Sequence, residues 1–396
     1  MNACDAVMRR WAVFDARDRL VGYELLLGRG ITPGSGADAA AVITAAFGDL
    51  GLHRVVGDRR AYVAAPFDVL SIAAALRLPA RQLALQVTEQ AVDERLLGLV
   101  EGLVEHGFGV GLGGWALVPG AEPLVRLATA VKVDFDFGTR HLTQLVAQRD
   151  ALHAQGATLI ASHVQTRGEH EEARRLGFDA FQGDLAQPAD IAGRRTPTQG
   201  MAALTAVLTA TGRGAFEDLE RLIMQDAGLA HRFLHLAGSA FYARRARVRS
   251  VRDALARLGA DAVRRWALML VLAGLADSSS DVTRHLLGVG LHRGRICELL
   301  AGHDSEASSD RAFSAGLLSV LPGLVDQPME ALVAELPLDE MLSRALTHHQ
   351  GREGRTIAYE EGEHENPEGD PALLAAITRI YTDALLWADD TGRQLT

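Results

Sequence analysis

Residues 83–113, LALQVTEQAVDERLLGLVEGLVEHGFGVGLG, decide the fold of the first half of the chain. The apolar run at 83–89 predicts a strand, and the run at 108–114 predicts a second one. Between them, apolar residues recur every three or four positions, which predicts a helix over 91–106. Strands that are apolar on both faces are typical of a parallel sheet covered by helices. The stretch therefore predicts a β–α–β unit.

The same alternation extends in both directions from this unit. Further strands are predicted at 11–16, 21–27, 61–66, 130–135, 158–164 and 179–185, and further helices at 37–50, 67–77, 138–155 and 167–177. A β-then-α rhythm fits either a barrel or a doubly wound sheet. The number of strands favours a small TIM-like (β/α) barrel, which begins with an antiparallel hairpin that turns between Asp15 and Leu20.

The strand pattern stops at a linker rich in proline and glycine, QPADIAGRRTPTQG (187–200). Beyond it, helices are predicted at 282–301, 309–321, 328–335, 339–348 and 371–389, after earlier helical spacing from Phe216 to Leu270. This pattern predicts an all-α domain. The predicted domains are therefore a barrel over 1–193 and a helical domain over 194–396. The acidic segment YEEGEHENPEGD (359–370) is interpreted as a solvated loop.

Composition limits the classes of function. The chain has 396 residues, 48% of them hydrophobic and 23% charged, and a net charge of −10, which argues against non-specific binding to nucleic acid or anionic membranes. Cys4 and Cys297 are too far apart in sequence to form a metal motif, so we interpret them as free thiols in a reducing compartment. Charges in the first ten residues argue against a signal peptide, and no apolar run is long enough to span a bilayer. A cytoplasmic location is expected.

Three motifs stand at the ends of predicted strands, where parallel barrels carry their chemistry. They are GYELLLGR (22–29), VKVD (131–134) and QGDLAQP (182–188). In this order they resemble the EAL domain, a family of cyclic di-GMP phosphodiesterases with a TIM-like barrel. The resemblance covers about residues 10–190 and implies a site at the barrel mouth.

The resemblance also shows which side chains are kept and which are lost. Glu24, Lys132, Asp134 and Gln182 remain at family positions. The family's metal-binding side chains align with Ala64, Gln86, Gly113, Gly114, Ser162 and Gln165, the last two standing for the glutamates of an EGVE segment. Hydrolysis with two metal ions needs several oxygen ligands around the cations. We therefore expect no metal, no cofactor and no hydrolysis of cyclic di-GMP, so that the chain is not an enzyme.

Ligand binding is a separate question. The family's substrate-binding arginine aligns with Gly28, and Arg29 follows it. The candidate ligand-binding residues are Glu24, Arg29, Lys132 and Gln182. Because the arginine and the metals are lost together, retained binding of cyclic di-GMP is not favoured. Lys132 and Asp134 could instead form an ion pair that stabilises the barrel.

The helical half contains a second resemblance. Residues 219–269 resemble the HDOD domain, in which Asp226-Ala227, the segment 238–240 and Leu258-Gly259 align with family motifs. That family is similar in fold to HD-domain phosphohydrolases but lacks their metal ligands. The dipeptide His303-Asp304 is therefore interpreted as part of a polar loop over 302–310 and not as a metal site.

An arginine-rich segment, ARRARVRSVR (243–252), is the candidate partner-binding site. Its candidate residues are Arg244, Arg245, Arg247 and Arg249. An acidic protein surface is favoured over nucleic acid, because the chain as a whole is acidic.

Three functions remain in competition. The leading hypothesis is a signalling scaffold in a cyclic di-GMP-related or other pathway, which binds protein partners or a second copy of itself. The second is a nucleotide receptor whose barrel binds a cyclic dinucleotide. The third is a weak phosphodiesterase built around Glu24, Glu89 and Lys132.

Overall fold

A computed structural model gives the arrangement of most of the chain. It describes residues 7–28, 52–73, 78–88, 92–113, 120–136, 149–164, 167–183, 198–210, 215–225, 227–237, 250–276, 280–302, 306–361 and 371–395. The predicted helix at 37–50 lies outside these residues, as does the predicted domain boundary after residue 193. The boundary therefore stays a prediction.

The chain forms two compact units. One consists of Met1–Asp184 with Pro371–Thr382, and the other of Leu185–Asp370 with Asp383–Thr396. The last helix thus contributes to both. Within the first unit, the hydroxyl of the buried Tyr381 accepts a hydrogen bond from the backbone N–H of Arg10 at 3.4 Å.

The first unit is a closed barrel of eight strands in sequence order. The strands are β1 (Val7–Asp15), β2 (Leu20–Gly28), β3 (Arg60–Ala65), β4 (Leu83–Val87), β5 (Gly109–Gly113), β6 (Ala130–Asp134), β7 (Thr158–Ser162) and β8 (Ala180–Gln182). β1 pairs antiparallel with β2 and β8, and the other neighbours pair in parallel. The predicted barrel with an antiparallel first hairpin is confirmed.

Helices cover the outside of the barrel. Those whose bounds lie within the described residues are α1 (Leu52–Val56), α2 (Phe67–Ala73), α3 (Glu94–Glu105), α4 (Glu122–Val125) and α5 (Arg167–Leu176). Residues 149–154 are also helical, within the predicted helix 138–155. α3 shows why they form: Asp93 caps its first turn by accepting a hydrogen bond from the N–H of Leu96 at 2.8 Å. Leu96, Val100 and Leu103 then bury one face of the helix.

The interior of the barrel positions the functional residues. Val13, Tyr62, Ala84, Ala130, Ile160 and Ala180 form a buried cluster at one level of the barrel. Side chains alternate between the two faces of a strand. Gln86, Lys132 and Gln182 each stand two residues beyond an alanine of this cluster, so they face the interior one level higher. That level lies at the carboxyl ends of the parallel strands.

The second unit consists of helices. They are α6 (Thr198–Thr209), α7 (Ala215–Gln225), α8 (Ala227–Ala237), α9 (Val251–Leu258), α10 (Ala260–Leu275), α11 (Asp281–Ala301), α12 (Glu306–Leu318), α13 (Leu321–Val325), α14 (Met329–Glu335), α15 (Glu340–His348), α16 (Gly351–Glu361) and α17 (Pro371–Leu395), the last shared with the first unit. The predicted all-α half is confirmed. Among the described helices, none has the length and apolarity that crossing a membrane requires.

The long apolar stretch of the sequence supplies the core of this unit. α10 is buried on nearly all sides from Trp266 to Ala273. Gly259, with φ +85°, separates α9 from α10, as the Leu258-Gly259 turn predicted. Cys297 is a free thiol, as the sequence predicts, and its burial raises its pKa. Cys4 lies outside the described residues.

Glycines allow α11 and α12 to pack very closely. A Cβ atom on Gly316 would lie 2.4 Å from the backbone carbon of Arg293. On α11, a Cβ atom on Gly294 would lie 3.0 Å from the carbonyl oxygen of Phe313, and one on Gly290 would lie 3.0 Å from that of Leu317. The two backbones are in contact at this crossing, and side chains larger than hydrogen do not fit between them.

Two predicted loops are partly helical. α12 begins at Glu306, inside the predicted loop 302–310, whereas His303-Asp304 lies outside the described residues. α16 extends to Glu361 and takes in the first residues of the acidic segment that was interpreted as solvated. The side chain of Glu361 is 8% exposed, and its charge is balanced by an ion pair with Arg293 at 2.8 Å. The charge-rich segment predicts exposure, because its sequence does not show that Arg293, 68 residues away, pairs with Glu361.

Candidate functional site at the mouth of the barrel

Glu24 on β2, Lys132 on β6 and Gln182 on β8 meet inside the barrel. The Nζ atom of Lys132 lies 2.5 Å from Oε1 of Glu24. The side-chain amide of Gln182 donates a hydrogen bond to the other oxygen, Oε2. Glu24 is 3% exposed and Gln182 is 1% exposed. Both oxygens of the buried carboxylate are therefore engaged by donors from the protein itself.

A small cavity lies beside these three residues. Its volume is about 10 Å³, and Tyr62, Gln86 and Ile160 also line it. This is about the space that one water molecule needs. The Oε1 atom of Gln182 is buried and accepts no hydrogen bond from the described residues. A single water in the cavity could donate to that oxygen, whereas a larger ligand could not enter without movement of the side chains.

The predicted ion pair between Lys132 and Asp134 is corrected by these contacts. Each residue is paired, but with a different partner. Lys132 binds Glu24, and the Oδ2 atom of Asp134 lies 2.7 Å from Nδ1 of His163. Lys132 and Asp134 stand on the same face of β6. The partner of Lys132 is a carboxylate on β2, and the partner of Asp134 is the imidazole of the residue that follows β7.

His163 is a residue of the mouth that the sequence reasoning missed. Its φ is +58°, a left-handed conformation that costs a residue with a Cβ about 1–2 kcal/mol. Its ring packs edge-on against Trp11 at 6.2 Å. The resemblance that aligns Ser162 and Gln165 with the glutamates of an EGVE segment implies that His163 stands at its glycine, the residue that adopts left-handed backbone without strain. A large residue at a glycine position was the signal that could have found it.

The other predicted site residues divide into two groups. Ala64, Gln86 and Gly113 lie partly exposed at the ends of β3, β4 and β5, and Ser162 is buried at the end of β7. The remaining candidates lie outside the described residues: Arg29, Gly114, Gln165, Arg244, Arg245, Arg247 and Arg249. Within the described part of the chain, no three His, Cys, Asp or Glu side chains gather as a metal site requires.

Replacing Lys132 by methionine is expected to destabilise the barrel by roughly 2 kcal/mol. The change leaves the Glu24 carboxylate buried without its cation; the usual cost of 3–5 kcal/mol is reduced because Lys132 is 24% exposed. Urea unfolding followed by circular dichroism measures the loss. Arg175→Met is the control, because its pair with Glu172 is largely exposed. Equal midpoints for the two variants would show that the buried pair contributes little.

The comparisons with known proteins bear on both halves. Residues 197–332 match the family model of the HDOD domain. The prediction of a (β/α) barrel followed by an HDOD-type helical region is thereby confirmed, the barrel by its closed sheet and the helical region by this match.

Two curated relatives resemble the chain across both halves. One is the Cyclic di-GMP phosphodiesterase CdgJ of Vibrio cholerae, 28% identical over 366 residues, which are 89% of this chain and 83% of CdgJ. The other is the Uncharacterized protein YuxH of Bacillus subtilis, 23% identical over 355 residues, or 86% of each chain. Among solved structures, the EAL domain of Mycobacterium smegmatis DcpA matches 46% of this chain and 91% of its own, with 20% identity and a TM-score of 0.37.

The name of the Vibrio relative corrects one expectation. We predicted that the chain is not an enzyme, and this prediction is wrong, because a relative that is similar over most of its length is a phosphodiesterase by name. The prediction compared single positions with the metal-binding positions of one family. Catalysis depends on which groups gather in space, which single aligned positions do not show.

Proposed function

We propose that this chain acts in cyclic di-GMP signalling and that its output is the binding of protein partners by its HDOD domain. The likeness to CdgJ over both halves supports the pathway. The observation that carries the output is the arrangement of the described barrel mouth. Both oxygens of the buried Glu24 are engaged by Lys132 and Gln182, and the cavity beside them has a volume of about 10 Å³. The helical unit, in contrast, keeps a large, well-packed core that can present a stable surface.

Affinity capture combined with sizing tests this proposal. The full chain, purified with a tag from its native cell, is expected to bring down a protein partner in fixed stoichiometry, or to associate with itself in multi-angle light scattering. Cyclic di-GMP is added in parallel, because a signalling role predicts that it changes the amount captured. A chain that stays an unpartnered monomer with and without the nucleotide would contradict the proposal.

Turnover of cyclic di-GMP at the barrel mouth is the second candidate, and the name of the Vibrio relative favours it. In this chain the reaction would have to use the mouth around Glu24, Asp134 and His163. Chromatography of the nucleotide after incubation with the chain and Mg²⁺ or Mn²⁺ measures it. Product that forms with the natural chain but not with Glu24→Gln would assign turnover to this mouth. Equal product from both proteins would place any activity elsewhere.

A further inference from the structure

A groove of about 190 Å³ lies in the helical unit between α12, α15 and the start of α16. Its floor is apolar: Ala315, Leu342 and Ala345 line it and are at most 6% exposed. Met341 stands at its edge with 61% of its surface exposed. Such exposure of a large apolar side chain beside a concave apolar floor is typical of a binding surface.

Two arginines give the groove its charge. Arg311 lines it and makes no hydrogen bond or ion pair with any described residue. Among the described residues, the side chain of Arg344 pairs with Glu340 at 2.5 Å. Both side chains are more than half exposed, so this pair is worth little and can rearrange. Among the described lining residues, two arginines stand against one carboxylate, Glu353, and the Glu340 carboxylate beside the lining is paired with Arg344. Arg311 is therefore the guanidinium of the groove that has no described carboxylate partner.

The wall formed by residues 349–354 is fixed by its backbone. His349 and Gly351 have φ values of +51° and +78°. Gly354 packs so tightly on this turn that a Cβ atom there would lie 2.2 Å from the backbone carbon of His349. A wall held in this way is already formed before a ligand arrives, which lowers the entropy cost of binding.

The HDOD match does not account for this groove. The matched residues end at 332, so only Arg311 and Ala315 of the lining fall within them. The other lining residues come from α15, the following turn and α16. Most of the groove therefore lies beyond the residues that the family model matches.

We propose that this groove binds an acidic segment of a protein partner, which inserts an apolar side chain onto the floor while its carboxylates pair with Arg311 and Arg344. This inference rests on the proposed function and names the chemistry of the partner. Carboxylates are the groups that guanidinium binds in a fixed two-point geometry. Nucleic acid is a poorer fit, because single-strand binding relies on aromatic platforms and the lining contains none.

Fluorescence polarisation with three labelled peptides tests the inference on the full chain. The first peptide has aspartate and glutamate around a single phenylalanine, the second replaces the phenylalanine by serine, and the third replaces the acids by lysine. We expect saturable binding of the first peptide alone. Equal binding of the lysine peptide, or no saturable binding of the acidic one, would overturn the proposal.

Matched variants locate the binding. Met341→Asp and Arg311→Glu are each expected to lower the affinity for the acidic peptide at least tenfold. Met224→Asp is the control, since Met224 is also 61% exposed, on α7 of the same unit, and it should leave the affinity within twofold. Circular dichroism checks that all variants fold. If Met224→Asp weakens binding as much as Met341→Asp, the groove is not the site.

Two further outcomes separate this inference from the proposed function. If the chain captures a cellular partner and the groove variants capture it equally well, the partner binds elsewhere and only the groove inference fails. If light scattering shows a dimer that Met341→Asp abolishes, the groove is occupied by a second copy of the chain, and the acidic partner is ruled out.

Discussion

Replacing Gly316 by valine is expected to destabilise the helical unit by more than about 3 kcal/mol, above the usual cost of overpacking a core. The backbone of α11 already occupies the position of a Cβ atom at residue 316, at 2.4 Å from the carbon of Arg293. Backbone atoms cannot move away as the end of a flexible side chain can. The valine would therefore separate α11 from α12 along the crossing that holds much of the unit together.

Chemical denaturation monitored by the helical circular dichroism signal measures this effect as a shift of the midpoint. The control is Gly288→Ala on α11, where a Cβ atom would meet nothing within 4 Å. Alanine has the higher helix propensity, so this variant should gain up to about 1 kcal/mol. The two glycine replacements are thus expected to move the midpoint in opposite directions. A Gly316→Val chain as stable as the natural one would show that the helices do not cross as described.

Replacing Arg293 by methionine is expected to cost about 3–5 kcal/mol, because it leaves a buried carboxylate without its cation. The guanidinium of Arg293 lies 2.8 Å from Oε1 of Glu361 and donates to Oγ of Ser319 at 3.1 Å. The two charged side chains are 5% and 8% exposed. Arg393→Met is the control, since its pair with Asp390 is exposed and should be worth less than about 1 kcal/mol. The double variant Arg293→Met with Glu361→Leu should recover much of the loss.

The pH dependence gives a second measurement of the same pair. Burial raises the pKa of Glu361, but the charge of Arg293 and the contact with His349 outweigh it, so that the pKa lies below its usual 4.5. A lowered pKa means that the stabilisation is present above pH 4.5 and is lost as the pH falls through the folded-state pKa. The stability of the natural chain and of Arg293→Met should therefore converge in acid. A difference that stays constant through this range would argue against the pair as its cause.

The sequence predicts the arrangement of the barrel mouth because it depends on local periodicity. Apolar runs identify the strands, and the ends of parallel strands meet, which brings Glu24, Lys132 and Gln182 together. The sequence does not predict which of these side chains pair. The positions of the residues along the strands do not show that Lys132 pairs with Glu24 and that Asp134 pairs with His163. The left-handed backbone of His163 is set by the strand end as a whole, which residue preferences do not reveal.

The helical unit shows a different limit. α16 was not predicted, because its sequence, GREGRTIAYEE, is rich in charge and contains two glycines. The helix is held by contacts distant in the chain: Ile357 is buried in the helical core, and Glu361 pairs with Arg293, which is 68 residues away. Local propensity cannot report on a buried partner at that distance.

The division of the last helix between the two compact units affects how the chain can be truncated. A fragment ending near residue 193 encodes eight strands without Pro371–Thr382, a piece of the same compact unit that includes Tyr381. A fragment that starts there carries those residues away from the strands to which they belong. The two halves are consequently not independent pieces, and an exchange of either would have to keep Met1–Asp184 together with Pro371–Thr382.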